Sequence, residues 1–237
     1  MSSPFVHHNG EVRLVIQIPC FNEAETLPET LADLPRFVSG FDEVLWVVID
    51  DGSSDKTAEV AEAHGVDAVV KLTQNKGLAV AFQVGLDTAL QLGADVIVNT
   101  DADNQYCAAS IPDLVEPITQ GDADLVIGTR DITNHEEFST LKKYLQKMGS
   151  WVVRQASATE VSDVTSGFRA YTKEAALQVN VVSQFTYTLE TLIQAGRSDL
   201  AVVDIPISVN PTTRPSRLFR SKRQYVRRSA GTISRVY

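Results

Sequence analysis

Glu43-Val-Leu-Trp-Val-Val-Ile-Asp-Asp-Gly-Ser53 joins a continuous apolar run of strand length to a polar turn, and that junction decides the fold. A run without polar alternation is a strand covered on both faces, as in parallel sheets whose crossovers are helices. The same alternation recurs on either side. Upstream, Val12 to Pro19 reads as a buried strand. Asn22 with Glu25 three residues later predicts a helix start, and the helix runs through Leu34 to end at Pro35. Downstream, the spacing predicts a helix over 55–64 stopped by Gly65, a short strand over 68–71, a helix over 77–92 ended by Gly93, and a strand over 96–100. A helix from Ile111 to Thr119 and a strand from Asp124 to Thr129 follow. Strands alternating with helices imply an α/β domain with a mostly parallel sheet flanked by helices.

Beyond residue 130 the sequence reads as a polar loop, Asp131 to Ser139, then a long helix from Leu141 to Ala158. Asp163 to Tyr171 reads as a loop entering a short strand, Phe185 to Ala195 as a helix and Leu200 to Ile207 as the last strand. No internal repeat or low-complexity segment is evident.

In Val96-Ile-Val-Asn-Thr-Asp-Ala-Asp-Asn-Gln-Tyr106 two carboxylates, Asp101 and Asp103, close an apolar strand. At roughly 5 Å and an effective dielectric of about 20, two such charges repel by about 3 kcal/mol, so a cation between or beside them is expected. A hard, oxygen-seeking ion such as Mg2+ or Mn2+ fits, and usually brings a phosphate-bearing ligand. Taken alone, the pair reads first as an acidic turn capping the next helix. Asn22, Asp50 and Asp51 also fall at strand ends, however, and ligands of open α/β sheets bind at the carboxyl ends of the strands.

With 237 residues, 43% apolar and 22% charged, the chain suits one large soluble α/β domain with a tail. Cys20 and Cys107 form no CxxC pair, which argues against a disulfide framework or zinc and favours a reducing compartment. Residues 1–10 have no charged n-region and no apolar h-region, so no secretory signal is expected, and no apolar run reaches the length of a membrane span. The net charge of −9 conceals a split. From Ile205 onward there are eight basic residues and no acidic one, which leaves 13 basic against 30 acidic groups, or −17, before it. An anionic partner for the tail follows: membrane, nucleic acid or phosphate.

Seven stretches, in order, resemble the family 2 glycosyltransferases, and within them the polyprenyl-phosphate sugar transferases of the dolichyl-phosphate mannose synthase type. They are Ile18-Pro-Cys-Phe-Asn-Glu23, Ile49-Asp-Asp-Gly-Ser-Ser-Asp-Lys-Thr57, Asn75-Lys-Gly-Leu78, Asp101-Ala-Asp-Asn-Gln105, Ile127-Gly-Thr-Arg130, Thr165-Ser-Gly-Phe-Arg-Ala170 and Glu190-Thr-Leu-Ile193. The resemblance implies a GT-A fold, a nucleotide diphosphate sugar donor and inversion at the anomeric carbon. By similarity, Pro19, Asn22, Glu23 and Asp51 line the nucleotide site with Asp101 and Ala102, and Asp51 is expected to meet the base or ribose. Asp50 either serves that site or orients the turn, and Lys76 either approaches the donor phosphates or is solvated. Asp101, Asp103 and Gln105 match the family's metal ligands for Mg2+ or Mn2+, Asp101 alternatively touching the ribose. Arg130 and Arg169 match arginines expected near phosphates, where a planar guanidinium pairs with oxygen atoms. Asp163 sits where inverting relatives place a candidate base, but a lipid phosphate is already anionic, so an orienting role is expected.

The stretch from Arg214 to Arg228 resembles the family's membrane-proximal segment, with Arg214, Ser216, Arg217, Arg220, Lys222 and Arg223 placed to meet lipid phosphate or an anionic membrane. The expected division is a catalytic domain over 1–210 and a basic tail over 211–237. Many relatives continue into transmembrane helices, and a span after Tyr237 in the full-length protein is the expectation. The implied activity is transfer of a hexose to polyprenyl phosphate, dolichyl or undecaprenyl, at the cytoplasmic membrane face. Rival readings are a hydroxyl acceptor with Asp163 as base, a non-catalytic nucleotide-sugar-binding module, and a nucleic-acid arm. The last is disfavoured by the acidic body and the lack of a base-reading motif. The sugar, the nucleotide and a possible homo-oligomer stay open.

Overall fold

The computed structural model describes residues 10–130, 161–182 and 187–211. The predicted loop over 131–139, the predicted helix over 141–158 and the basic residues Arg214, Ser216, Arg217, Arg220, Lys222 and Arg223 lie outside them.

The apolar runs form strands β1 (Arg13–Cys20), β2 (Glu43–Asp50), β3 (Ala68–Lys71) and β4 (Val96–Asn99). They alternate with helices α1 (Leu27–Asp33), α2 (Thr57–Ala63) and α3 (Leu78–Gln91). After β4 come a short 3-10 turn (Ala108–Ser110), α4 (Ile111–Gln120) and β5 (Leu125–Arg130). The last described elements are β6 (Arg169–Thr172), α5 (Lys173–Gln178), α6 (Thr188–Arg197) and β7 (Val202–Ile207).

The seven strands form one sheet in the order β3-β2-β1-β4-β6-β5-β7. All described pairings are parallel except those of β6, which runs against both β4 and β5. The reversal was not legible in the apolar pattern, which carries no direction. Its effect is functional, because the segment that leads into β6 arrives at the edge where β4 and β5 end.

Two-residue periodicity sends alternate side chains to opposite faces. Leu14, Ile16 and Ile18 of β1 join Val98 of β4 in a core closed by Leu27 and Leu31 of α1, Ala61 of α2 and Ile111, Leu114 and Ile118 of α4. Val15, Val47, Ile97 and Ile127 face the other way, against Phe82, Leu86 and Ala89 of α3, Ala175 of α5 and Leu192 of α6. Helices on both faces account for the unbroken apolar strands.

Two helix starts depart from expectation. Asn22 does not open α1. The N-cap is Thr26, and Pro28 occupies the first turn, where its missing N–H costs nothing. Asn22 instead takes a left-handed conformation, φ 54°, and bonds across to the next loop. The helix read as beginning at Phe185 begins, within the described residues, at Thr188. The short α5 was not anticipated, although Thr172 caps it by accepting from the Ala175 N–H at 3.0 Å.

Candidate active site

The carboxyl ends of β1, β2 and β4 lie side by side, with Cys20 opposite Asp50 and Gln17 opposite Asn99. Pro19 is buried within β1 and pairs with Ile49. The loops that leave these ends are fastened to one another. The Asn22 N–H donates to Ser53 Oγ at 2.9 Å, and Asn22 Oδ1 accepts from the Ser54 N–H at 2.8 Å. The Glu23 N–H donates to Thr57 Oγ1 at 2.9 Å, while its carboxylate accepts from Thr26 Oγ1 at 2.7 Å.

The adjacent carboxylates at the end of β2 have separate tasks. Asp50 accepts from the Ser53 N–H at 2.9 Å, a bond that shapes the turn. Asp51 is buried, and its two oxygens accept the Lys76 and Gly77 N–H groups at 2.7 and 2.8 Å. It thereby pins the loop ahead of α3 under the same edge. Lys76 is exposed on that loop. Glycine is required at the position after Asp51, Gly52: φ is +70°, and a Cβ there would sit 2.4 Å from the Gln74 carbonyl carbon.

The loop after β4 carries Asp101, Ala102, Asp103 and Gln105. The Ala102 carbonyl accepts from Thr30 Oγ1 at 3.0 Å, and Asp103 Oδ1 accepts from the Gln105 N–H at 3.2 Å. Asn104 takes φ 54° and donates to Asp33 Oδ2 at 2.9 Å. Asp101 lies against Gly167, where a Cβ would come within 3.2 Å of its Oδ1 and 2.7 Å of the Tyr187 hydroxyl. Burial pushes the Asp101 carboxyl up to about 7, with Asp103 and Glu23 adding to the shift and Arg130 opposing it. A proton or a nearby cation relieves that buried charge.

The donor set is oxygen only, which suits Mg2+ or Mn2+. Among the described residues no cluster of three or more His, Cys, Asp or Glu could hold a metal alone. Asp101, Asp103 and Gln105 offer two carboxylates and an amide on one loop, and Mg2+ commonly takes one or two carboxylates and completes its shell with waters and a ligand's phosphates.

Arg130 ends β5 and grips Asp163 with two hydrogen bonds, Nε to Oδ2 at 2.7 Å and Nη2 to Oδ1 at 3.2 Å; Nη2 also reaches Thr165 Oγ1 at 3.1 Å. Burial alone would raise the Asp163 carboxyl, but the Arg130 charge and the bonds from Arg130 and Thr165 outweigh it and hold it below the usual range. Arg169, expected near phosphates, is instead fully buried. Its guanidinium donates to the carbonyls of Ser166, Thr188 and Val164 and to Thr191 Oγ1 at 2.7 to 3.0 Å. It braces the loop ahead of β6 against α6, because a strand residue facing the core has no path to a ligand at the edge.

Behind the edge runs a buried polar chain that the sequence reading did not single out. Gln17 donates to Asn99 Oδ1 at 2.9 Å, and Asn99 donates to the Tyr187 hydroxyl at 2.9 Å and the Gly167 carbonyl at 2.8 Å. Tyr187 stacks on Phe82, with ring centroids 3.8 Å apart. Tyr106 accepts from the Gly167 N–H at 2.9 Å and stacks on Phe168. These groups fix Gly167 beside Asp101. The polar Gln17 and Asn99 within otherwise apolar strands were the available signal.

A family model described as "Glycosyl transferase family 2" matches residues 15–179. The chain is 29% identical over 207 residues to an undecaprenyl-phosphate mannosyltransferase of Micrococcus luteus, covering 83% of each chain. It is 28% identical over 215 residues to a UDP-N-acetylglucosamine–dolichyl-phosphate N-acetylglucosaminyltransferase of Methanococcus voltae, covering 80% of this chain and 82% of that one. Among solved structures, the fold is similar to glucosyl-3-phosphoglycerate synthase of Mycobacterium tuberculosis in complex with Mn2+, UDP and phosphoglyceric acid. The TM-score is 0.71 at 19% identity, over 95% of this chain and 77% of that one.

Proposed function

The chain belongs to the family 2 glycosyltransferases, and from that premise we propose that it moves a hexose from a nucleotide diphosphate sugar to polyprenyl phosphate with inversion. The observation that carries this reading is the convergence of the Asp101–Gln105 loop, the Asp51-pinned loop and the Arg130–Asp163 pair on one sheet edge. The names of two relatives, which act on undecaprenyl and dolichyl phosphate, support the acceptor class.

Pro19, Asn22, Glu23, Asp50 and Asp51, with Lys76 and Ala102, form the nucleotide side. Asp103, Asp101 and Gln105 would hold Mg2+ or Mn2+, which when bound neutralises charge on the departing nucleoside diphosphate. The acceptor's phosphate oxygen forms the new bond to the anomeric carbon from the face opposite the leaving group, as the bond to the donor's β-phosphate oxygen breaks. No proton has to be removed, since the acceptor oxygen is already anionic. Asp163 therefore keeps Arg130 in place at the phosphate side rather than acting as a base. Residues 1–210 are the catalytic domain and 211–237 a membrane-proximal segment, where Arg214, Ser216, Arg217, Arg220, Lys222 and Arg223 meet the lipid phosphate and the anionic cytoplasmic leaflet. Among the described residues no helix is long and apolar enough to cross a membrane.

The test is incubation with Mg2+ or Mn2+, a panel of sugar nucleotides and polyprenyl phosphate, read by mass spectrometry of the lipid fraction. A glycosylated polyprenyl phosphate is the expected product. Glycosylation of hydroxyl acceptors alone, or donor binding with no turnover, would overturn the reading.

A further inference from the structure

The loop that carries Asp101, Asp103 and Gln105 is held from three directions. From α1, Thr30 donates to the Ala102 carbonyl and Asp33 accepts from the Asn104 side chain. From the core, Tyr106 is locked by Gly167 and Phe168. The third hold comes from the segment just after β7, more than a hundred residues along the chain. Val209 forms an antiparallel bridge with Tyr106, and the Cys107 N–H donates to the Ser208 carbonyl at 3.3 Å.

Asn210 contributes most to this strap. Its main-chain N–H donates to the Gln105 carbonyl at 2.8 Å, and its side-chain amide donates to the Asn104 carbonyl at 2.9 Å. Two consecutive carbonyls are thus gripped by one residue, which fixes the peptide between Asn104 and Gln105. That peptide follows the left-handed turn at Asn104, φ 54°, a conformation that asparagine adopts more readily than other non-glycine residues. The turn sets the separation and aim of Asp103 and Gln105 on either side of it.

We infer that Asn210 is a positioning residue for the carboxylate loop, touching neither metal nor donor but setting the loop's affinity for a divalent ion. The inference rests on the metal-and-donor reading of that loop. The side-chain bond is the one to mutate, because every variant but proline keeps its main-chain N–H. Asn210→Ala removes the donor, and Asn210→Asp sets a carboxylate against a carbonyl in its place.

Mn2+ binding to the full chain, measured by electron paramagnetic resonance with UDP and separately with GDP present, supplies the readout. Asn210→Ala is expected to weaken Mn2+ binding about threefold to tenfold, the range set by one hydrogen bond, and Asn210→Asp at least as much. Asp124→Ala is the matched control. It removes a side-chain bond to the Ala201 N–H of 2.8 Å, which anchors the opposite end of β7. That variant should lose comparable thermal stability yet bind Mn2+ like the wild type. Unchanged Mn2+ binding in both Asn210 variants, or equal weakening in the control, overturns the positioning role. A wild-type protein that binds no Mn2+ with either nucleotide overturns the underlying reading as well.

Discussion

Arg130 and Asp163 stand 33 residues apart in the chain, yet the guanidinium meets the carboxylate edge to edge, through bonds of 2.7 and 3.2 Å. The side chains are 23% and 1% exposed, so the charges are shielded from water and the geometry is held. A carboxylate spent on this grip is a poor proton acceptor.

Asp163→Asn should therefore leave turnover with polyprenyl phosphate measurable, reduced by less than about a hundredfold, whereas loss of a general base costs about 10²- to 10⁴-fold. Steady-state kinetics with matched donor-binding measurements would decide it. Complete loss of turnover with donor binding and folding intact would make Asp163 a base.

Asp101 gives the metal-free protein a pH signature. Its folded-state carboxyl is raised to about 7, above the ordinary value near 4, so between these limits the folded state binds more protons than the unfolded one. Its contribution destabilises above pH 7 and is relieved as pH falls through 7 towards 4. Denaturant titrations in EDTA should show that trend, and Asp101→Asn should flatten it. Added Mn2+ with a nucleoside diphosphate should stabilise most above pH 7, where the carboxylate is charged.

Arg169→Met should act on folding rather than on the donor. Removing the guanidinium leaves several buried acceptors without their donor, at about 1 to 3 kcal/mol each, so a loss of about 3 kcal/mol or more is expected in urea. The KM for donor in the remaining folded enzyme should stay near the wild-type value. A raised KM with unchanged stability would place Arg169 at the ligand instead.

Gly52→Ala combines a backbone penalty with a collision. A left-handed alanine costs roughly 1 to 2 kcal/mol, and the contact with the Gln74 backbone adds about 1 to 3. Chemical denaturation should show a deficit of about 2 to 5 kcal/mol, with weakened nucleotide binding because the loops meet there.

The extent to which this architecture was legible in the sequence follows the range of the interactions. β2 and β3 were readable to the residue because burial on both faces writes itself into composition. Asp101 and Asp103 were readable as candidates because charge at a strand end is conspicuous, and Arg130 only through the family resemblance. The start of α1 was misread because Asn22 carries the residue type of a cap, while its side chain bonds Ser54 in the neighbouring loop. Arg169 was misplaced because residue type alone does not reveal that a guanidinium is enclosed by backbone carbonyls. Asn210 and Tyr187 were invisible for a related reason: each acts on a segment roughly a hundred residues away, and nothing local marks the pairing.

The reversed strand β6 has a consequence for how the sheet is held at its reactive end. The chain leaves the sheet at Arg130 and comes back through 161–168 at the same edge, and the Arg130–Asp163 grip fastens the two ends together. A bond between the last residue of β5 and the approach to β6 is therefore a clasp on the sheet itself, and breaking it would loosen the reversed strand and the loop beside Asp101 together.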